Sequence, residues 1–110
     1  MSKADAQLLS LDLTAQAALL AAGEVSCTEL IEQQLAAIAA SQAQINSYIH
    51  VDAQGALAAA VQSQQRRQRG LARPLEGLPI AVKDNIDVTG MVTTAGMETR
   101  RHSVAASTDN

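Results

Sequence analysis

Leucines crowd the start of the chain at Leu8, Leu9, Leu11 and Leu13, and an alanine-rich run over 15–22 follows Thr14. A threonine hydroxyl accepts from amides two or three residues on, so the pattern predicts a helix capped by Thr14. Gly23 ends it, because glycine takes the left-handed conformation that closes helices. Ser26-Cys27-Thr28-Glu29 has capping-box spacing, and Leu30, Ile31, Leu35 and Ile38 then recur every three to four residues. An amphipathic helix over about 27–41 is expected. Ile45 to Val51 alternates apolar and polar residues like a strand or extended segment. Asp52 is placed to cap a third helix over about 53–69, whose apolar residues are nearly all alanine beside Leu57 and Val61. Such a helix belongs on the surface with its Gln and Arg face outward. Gly70 ends it, and Pro74 and Gly77 mark a loop.

The pattern then changes. Leu78 to Val82 is a short run rich in residues that favour strands, in which Pro79 permits only a strand start or an edge. Lys83 follows directly, and Ile86 and Val88 flank Asp87 before a turn at Thr89-Gly90. After Gly96 the periodicity fades. The fold class predicted is α/β, helices first and then a short strand carrying the lysine. A single partial domain over 1–110 is expected, with a helical layer over 1–72 and a strand-loop segment over 73–110.

Composition sharpens this picture. Apolar residues make up 47% of the 110, yet there is one Tyr, no Phe and no Trp. Without aromatic burial the core must be Leu, Ile and Val over closely packed Ala, thin for an independent domain. A net charge of −3 argues against nucleic-acid and membrane-surface partners. Arg66, Arg67, Arg69 and Arg73 cluster, and their place at a helix C-terminus, where carbonyl dipoles favour cations, explains them without a phosphate ligand. The lone Cys27 excludes an internal disulfide and reads as a small packing residue. No signal peptide and no membrane span are seen, which makes the cytoplasm the expected compartment. His50 and His102 lack metal-ligand spacing, no phosphate loop occurs, and no cofactor or metal is expected.

Candidate chemistry centres on Lys83. A free lysine titrates at about 10.4, so a lysine that acts as a base near neutrality must lose roughly three units. Burial is the main route. Leu78, Ile80 and Val82 offer apolar surroundings, whereas Asp84 and Asp87 oppose the shift if they pair with the amine. From the pattern alone, a solvated charge and a catalytic amine both remain open for Lys83.

The run Gly77-Leu78-Pro79-Ile80-Ala81-Val82-Lys83-Asp84-Asn85-Ile86, followed by Gly90 and by Thr93-Thr94-Ala95-Gly96, resembles the opening of the amidase signature family nearly position for position. A looser likeness runs upstream through Gly23, Ser26, Glu29-Leu30 and Ile45-Asn46-Ser47-Tyr48. The resemblance implies an α/β/α hydrolase that cleaves carbon–nitrogen amide bonds with a Ser–Ser–Lys triad, in which Lys83 is the lysine. A neutral lysine there takes a proton from a bridging serine, which deprotonates the nucleophilic serine. Asp84 and Asn85 would hold the loop beside Lys83 through side-chain-to-backbone bonds, and Gly90 and Gly96 would permit tight turns.

Departures from the family pattern are equally specific. None of the eight serines sits in a Gly-Ser-Ser-Gly-Gly-like setting, and Ser103 and Ser107 read as polar loop residues. Met97 stands where relatives carry a small polar residue. Asp109 has the character of a helix N-cap with no helix after it, which points to a chain cut at this place. The expected role is that of an N-terminal amidase segment that contributes Lys83 and is inactive alone. Its partners would be a small-molecule amide substrate in the complete enzyme and a second copy or complementing chain. Thr-Thr-Ala-Gly-Met, where the amidotransferase A subunits that work on charged tRNA usually read Thr-Thr-Cys-Ala-Ser, favours a small-molecule amidase of the allophanate or indoleacetamide type over those proteins. The rivals are a non-catalytic truncated relative that binds or packs against a partner, a fragment of a tRNA-dependent amidotransferase A subunit, and a helical adaptor over 1–70.

Overall fold

A computed structural model describes residues 3–110, with side chains from Gln7 onward. The chain forms two compact units, Met1–Pro79 and Ile80–Asn110. The first contains four helices: α1 (Lys3–Ser10), α2 (Leu13–Ala22), α3 (Cys27–Ile45) and α4 (Ala53–Gln68). The second is built of turns and irregular segments with a single 3₁₀ turn at Glu98–Arg100.

Local chemistry explains the helix ends. α1, unforeseen in the sequence, presents the Leu8 carbonyl to the buried Gln16, whose Nε2 donates to it at 3.1 Å. Asp12 caps α2 by accepting from the Ala15 amide at 2.8 Å. The cap expected at Thr14 is therefore corrected by two residues, a carboxylate being the stronger acceptor for exposed helix amides. Gly23, at φ 73°, closes α2 with its amide directed at Leu19 and Leu20. The capping box of α3 is present in both directions: Ser26 Oγ accepts from the Glu29 amide and Glu29 Oε2 from the Ser26 amide, each at 3.0 Å.

α3 runs past Ser41 to Ile45. Ser41 stays helical by donating its hydroxyl back to the Ile38 carbonyl at 3.3 Å. Asn46, in the left-handed region at φ 51°, ends the helix. Gln42 then clamps Tyr48, donating to its carbonyl at 2.6 Å and accepting from its amide at 3.2 Å. The strand anticipated over Ile45–Val51 is replaced by the end of α3 and this side-chain clamp. Asp52 caps α4 as expected, accepting from the Gly55 amide at 3.1 Å.

Leu8, Leu20, Cys27, Leu30, Ile31 and Ala60 form the core, with Leu19, Leu35, Leu57 and Leu78 packed around it. α4 packs along α3 and is not a bystander on the surface: Ala60 and Ser63 are buried. Small side chains allow that close approach. Among the described residues there is no β-strand. The Leu78–Val82 run expected to be one is irregular, since a strand exists only where a neighbouring chain completes its ladder. No helix among the described residues is long and apolar enough to cross a membrane.

Candidate active-site loop

Lys83 lies on the surface of the second unit, and its carbonyl accepts from the Ile86 amide at 3.1 Å. Order begins at the next residue. The Asp84 carbonyl accepts from the Ala95 amide at 2.7 Å, and its carboxylate accepts from both the Thr94 amide, at 3.1 Å, and the Thr94 hydroxyl. Thr94 Oγ1 in turn accepts from the Gly96 amide at 3.1 Å. These bonds tie the residue after the lysine to the Thr-Thr-Ala-Gly segment ten positions on. Foremost the Thr94 hydroxyl, then its amide, hold the Asp84 carboxyl below its usual range against the opposing effect of burial. Asn85 is exposed.

Further clips repeat the scheme. Asp87 accepts from Thr93 Oγ1 at 2.6 Å. Asp109 Oδ1 accepts from both the amide and the hydroxyl of Thr89, at 2.7 and 2.8 Å, and the amide first, then the hydroxyl, depress its carboxyl pKa. Asp109 therefore closes a loop on Thr89 where its sequence setting suggested a helix cap. The Gly90 amide donates to the Ala106 carbonyl at 2.8 Å, and the Ala106 amide returns to Met91 at 2.9 Å.

The turn from Thr94 to Met97 is closed by the Met97 amide donating to the Thr94 carbonyl at 2.9 Å. Both central residues have positive φ, 52° at Ala95 and 74° at Gly96. Glycine meets that demand freely, whereas Ala95 carries a cost of about 1 kcal/mol that the surrounding bonds must offset. Gly90 has φ 83° in the turn closed by the Met91 amide on the Val88 carbonyl. The structure thus joins Asp84 to the Thr94–Gly96 turn and leaves Lys83 and Asn85 facing solvent. Thr94 stands in the motif without a role that the sequence reveals; its use as a double donor depends on a pairing across ten residues, beyond the reach of local pattern.

A second polar centre lies in the first unit. Glu76 is buried and accepts from Ser63 Oγ at 2.8 Å and from Arg73 Nε and Nη2 at 3.2 and 3.0 Å. Arg66 stands 3.6 Å away, and Arg67 donates to the Glu76 backbone carbonyl at 2.8 Å. The hydrogen bonds from Arg73 and then Ser63 outweigh burial and lower the Glu76 carboxyl from 4.5 to about 2. Three of the four clustered arginines therefore serve this carboxylate and its carbonyl. The helix-dipole explanation covers only part of their placement, and nothing in the local sequence pattern singles out Glu76.

Residues 29–109 match the Amidase family model. The chain is 45% identical over 91 residues to the A subunit of the glutamyl-tRNA(Gln) amidotransferase of Chloroflexus aurantiacus, an alignment covering 82% of this chain and 19% of that protein. It is 48% identical over 77 residues to the protein of the same name from Cupriavidus necator, covering 70% and 15%. Among solved structures, one of a vestigial protein complex bearing on the origins of an s-triazine catabolic enzyme superposes with a TM-score of 0.85 at 33% identity. That superposition covers 90% of this chain and 22% of the other. The chain spans about a fifth of the length of these relatives. On the match over residues 29–109, which includes the whole Lys83 loop, this chain belongs to the amidase family.

Proposed function

We propose that the chain is the N-terminal segment of an enzyme that hydrolyses a carbon–nitrogen amide bond, to which it contributes Lys83 as the proton-accepting lysine of a Ser–Ser–Lys triad. The observation that carries this reading is the family match extending through the motif from Gly77 to Gly96. In the reaction, neutral Lys83 takes a proton from a bridging serine, which activates the nucleophilic serine for attack on the amide carbonyl. Backbone amides stabilise the oxyanion, and water releases the acid from the acyl-enzyme. Both serines and the oxyanion donors are assigned to the part of the enzyme outside this segment. Asp84, Gly90 and Gly96 support the loop beside the lysine, and Asn85 lies on its exposed side.

A small-molecule amide remains the substrate class favoured by Thr-Thr-Ala-Gly-Met. The second reading, a piece of an amidotransferase A chain, draws on the names of the similar proteins. Replacing the matched segment of the Chloroflexus aurantiacus protein with this chain gives an enzyme in which both can be assayed. Ammonia release from indoleacetamide or from glutamine should be detectable and should fall about 10³-fold in Lys83→Met. Turnover indifferent to that substitution would remove Lys83 from the chemistry. Indoleacetamide hydrolysis gained over the unaltered host protein would favour the small-molecule reading.

A further inference from the structure

We propose that Thr94 is a positioning residue for the chemistry assigned to Lys83: it holds the Asp84 carboxylate on its own amide and hydroxyl, and so withholds that counter-charge from the neighbouring amine. The proposal rests on the reading of Lys83 as a base and concerns only the unit from Ile80 to Asn110. A lysine next to a carboxylate is ordinarily a poor base. An opposite charge within about 4–6 Å favours the ammonium form, and Asp84 is joined to Lys83 by a single peptide bond. A lysine that must accept a proton is served by a carboxylate that is bound elsewhere.

That is the arrangement found. Oδ1 of Asp84 accepts from the Thr94 amide at 3.1 Å, and Oδ2 accepts from the Thr94 hydroxyl. The Gly96 amide donates to Thr94 Oγ1 at 3.1 Å, which leaves the hydroxyl proton to point at Asp84. The main chain is held at the same place, since the Asp84 carbonyl accepts from the Ala95 amide at 2.7 Å. Both carboxylate oxygens thus face the turn, and among the described residues Lys83 forms no ion pair. The unit's other side-chain carboxylates are occupied as well: Asp87 by Thr93, Glu98 by Arg101 and Asp109 by Thr89. Of its other titratable groups, Arg100 acts on Asp84 through space and His102 is exposed. An Asp84 carboxylate deprived of the Thr94 hydroxyl has an unmatched oxygen, for which the ammonium of the preceding residue is a ready partner.

The test uses the same grafted amidase and reads the pH dependence of kcat/KM, whose acid limb reports the base of the free enzyme. Thr94→Val keeps the shape of the side chain but not its hydroxyl. It should move that limb upward by about one unit, a roughly tenfold loss on the limb itself. Thr94→Ser keeps the donor and should leave the limb in place, and Thr94→Ala serves if Thr94→Val does not fold. In the double variant Asp84→Asn/Thr94→Val the charge is gone and the limb should return, although the turn still lacks its hydroxyl. A merely structural role lowers the plateau in Thr94→Val without moving the limb. That result, with Lys83→Met still inactive, would overturn the positioning role alone. A shift that persists in the double variant would do the same, because Asp84 would not be its source. The chain itself gives an independent reading, since its lysines are Lys3 and Lys83. Acetylation of Lys83 by acetic anhydride at about pH 9, followed by peptide mass spectrometry, should slow about twofold or more in Thr94→Val and recover in the double variant. Unchanged reactivity there would also overturn the proposal. Turnover insensitive to Lys83→Met would overturn the assignment of Lys83 as a base, and the positioning role with it.

Discussion

In the unit ending at Pro79, Leu20, Cys27, Leu30 and Ala60 are buried against one another, and helices carry most of the backbone hydrogen bonds. In the unit from Ile80 to Asn110 no side chain is buried, and Ile80, Val82, Ile86, Met97 and Val104 are all exposed. Order there comes from aspartates that accept from threonine hydroxyls and backbone amides: Asp84 from Thr94, Asp87 from Thr93 and Asp109 from Thr89. The two regions teach different lessons about what holds a chain. Apolar burial provides most of the stability of a helical layer but little directional detail. Carboxylate clips define the course of a loop closely, yet a hydrogen bond exchanged for one to water yields only a modest net gain. Lys83 lies in the second kind of region. Its loop is shaped by polar contacts within the unit, while its apolar side chains have no core there.

Three substitutions or conditions should separate these regimes. The largest effect is expected at Leu30, which is 0% exposed. Leu30→Ala should destabilise the helical unit by about 3 kcal/mol through lost burial and the cavity left behind. Urea denaturation followed by far-UV circular dichroism measures it. A change below about 1 kcal/mol would mean that the core collapses around the gap and contributes less than its burial suggests.

An intermediate effect should appear on acidification. Asp84 and Asp109 both titrate below their ordinary 3.8 in the folded chain. Their clips therefore contribute fully above that value and lose their contribution as pH falls through the lower folded values. The Thr94 and Thr89 amide resonances should move toward their unstructured positions on acidification below about pH 4. Glu76 stays ionised until about pH 2, so the Arg73–Glu76–Ser63 cluster of the first unit should persist down to about that pH. Loss of helical signal ahead of the two threonine amides would erase the distinction between the regions.

The smallest effect is expected at Val104, which is 94% exposed. Val104→Ser should change thermal stability by less than about 0.5 kcal/mol. A larger loss would reveal apolar packing of Val104 in solution and would count against the polar-clip description of this unit.

What the chain's residues determined by themselves were features with short reach. Ser26 and Glu29 specify a capping box because both partners lie within one helical turn, and Asp52 marks the start of α4 for the same reason. The run from Gly77 to Gly96 carried the family in its own residues. Tertiary structure decided whatever depended on distant partners. α1 is joined to α2 by Gln16 reaching the Leu8 carbonyl, and α3 was lengthened to Ile45 with Gln42 clamping Tyr48 beyond its end. Leu78–Val82 formed no strand, because β structure requires a neighbouring ladder that no single run of sequence contains. Glu76 and Thr94 acquired their roles only when folding brought donors and acceptors together from thirteen and ten residues away. The energy of a polar contact depends on distance and direction in space, and sequence pattern records neither beyond a turn or two of helix.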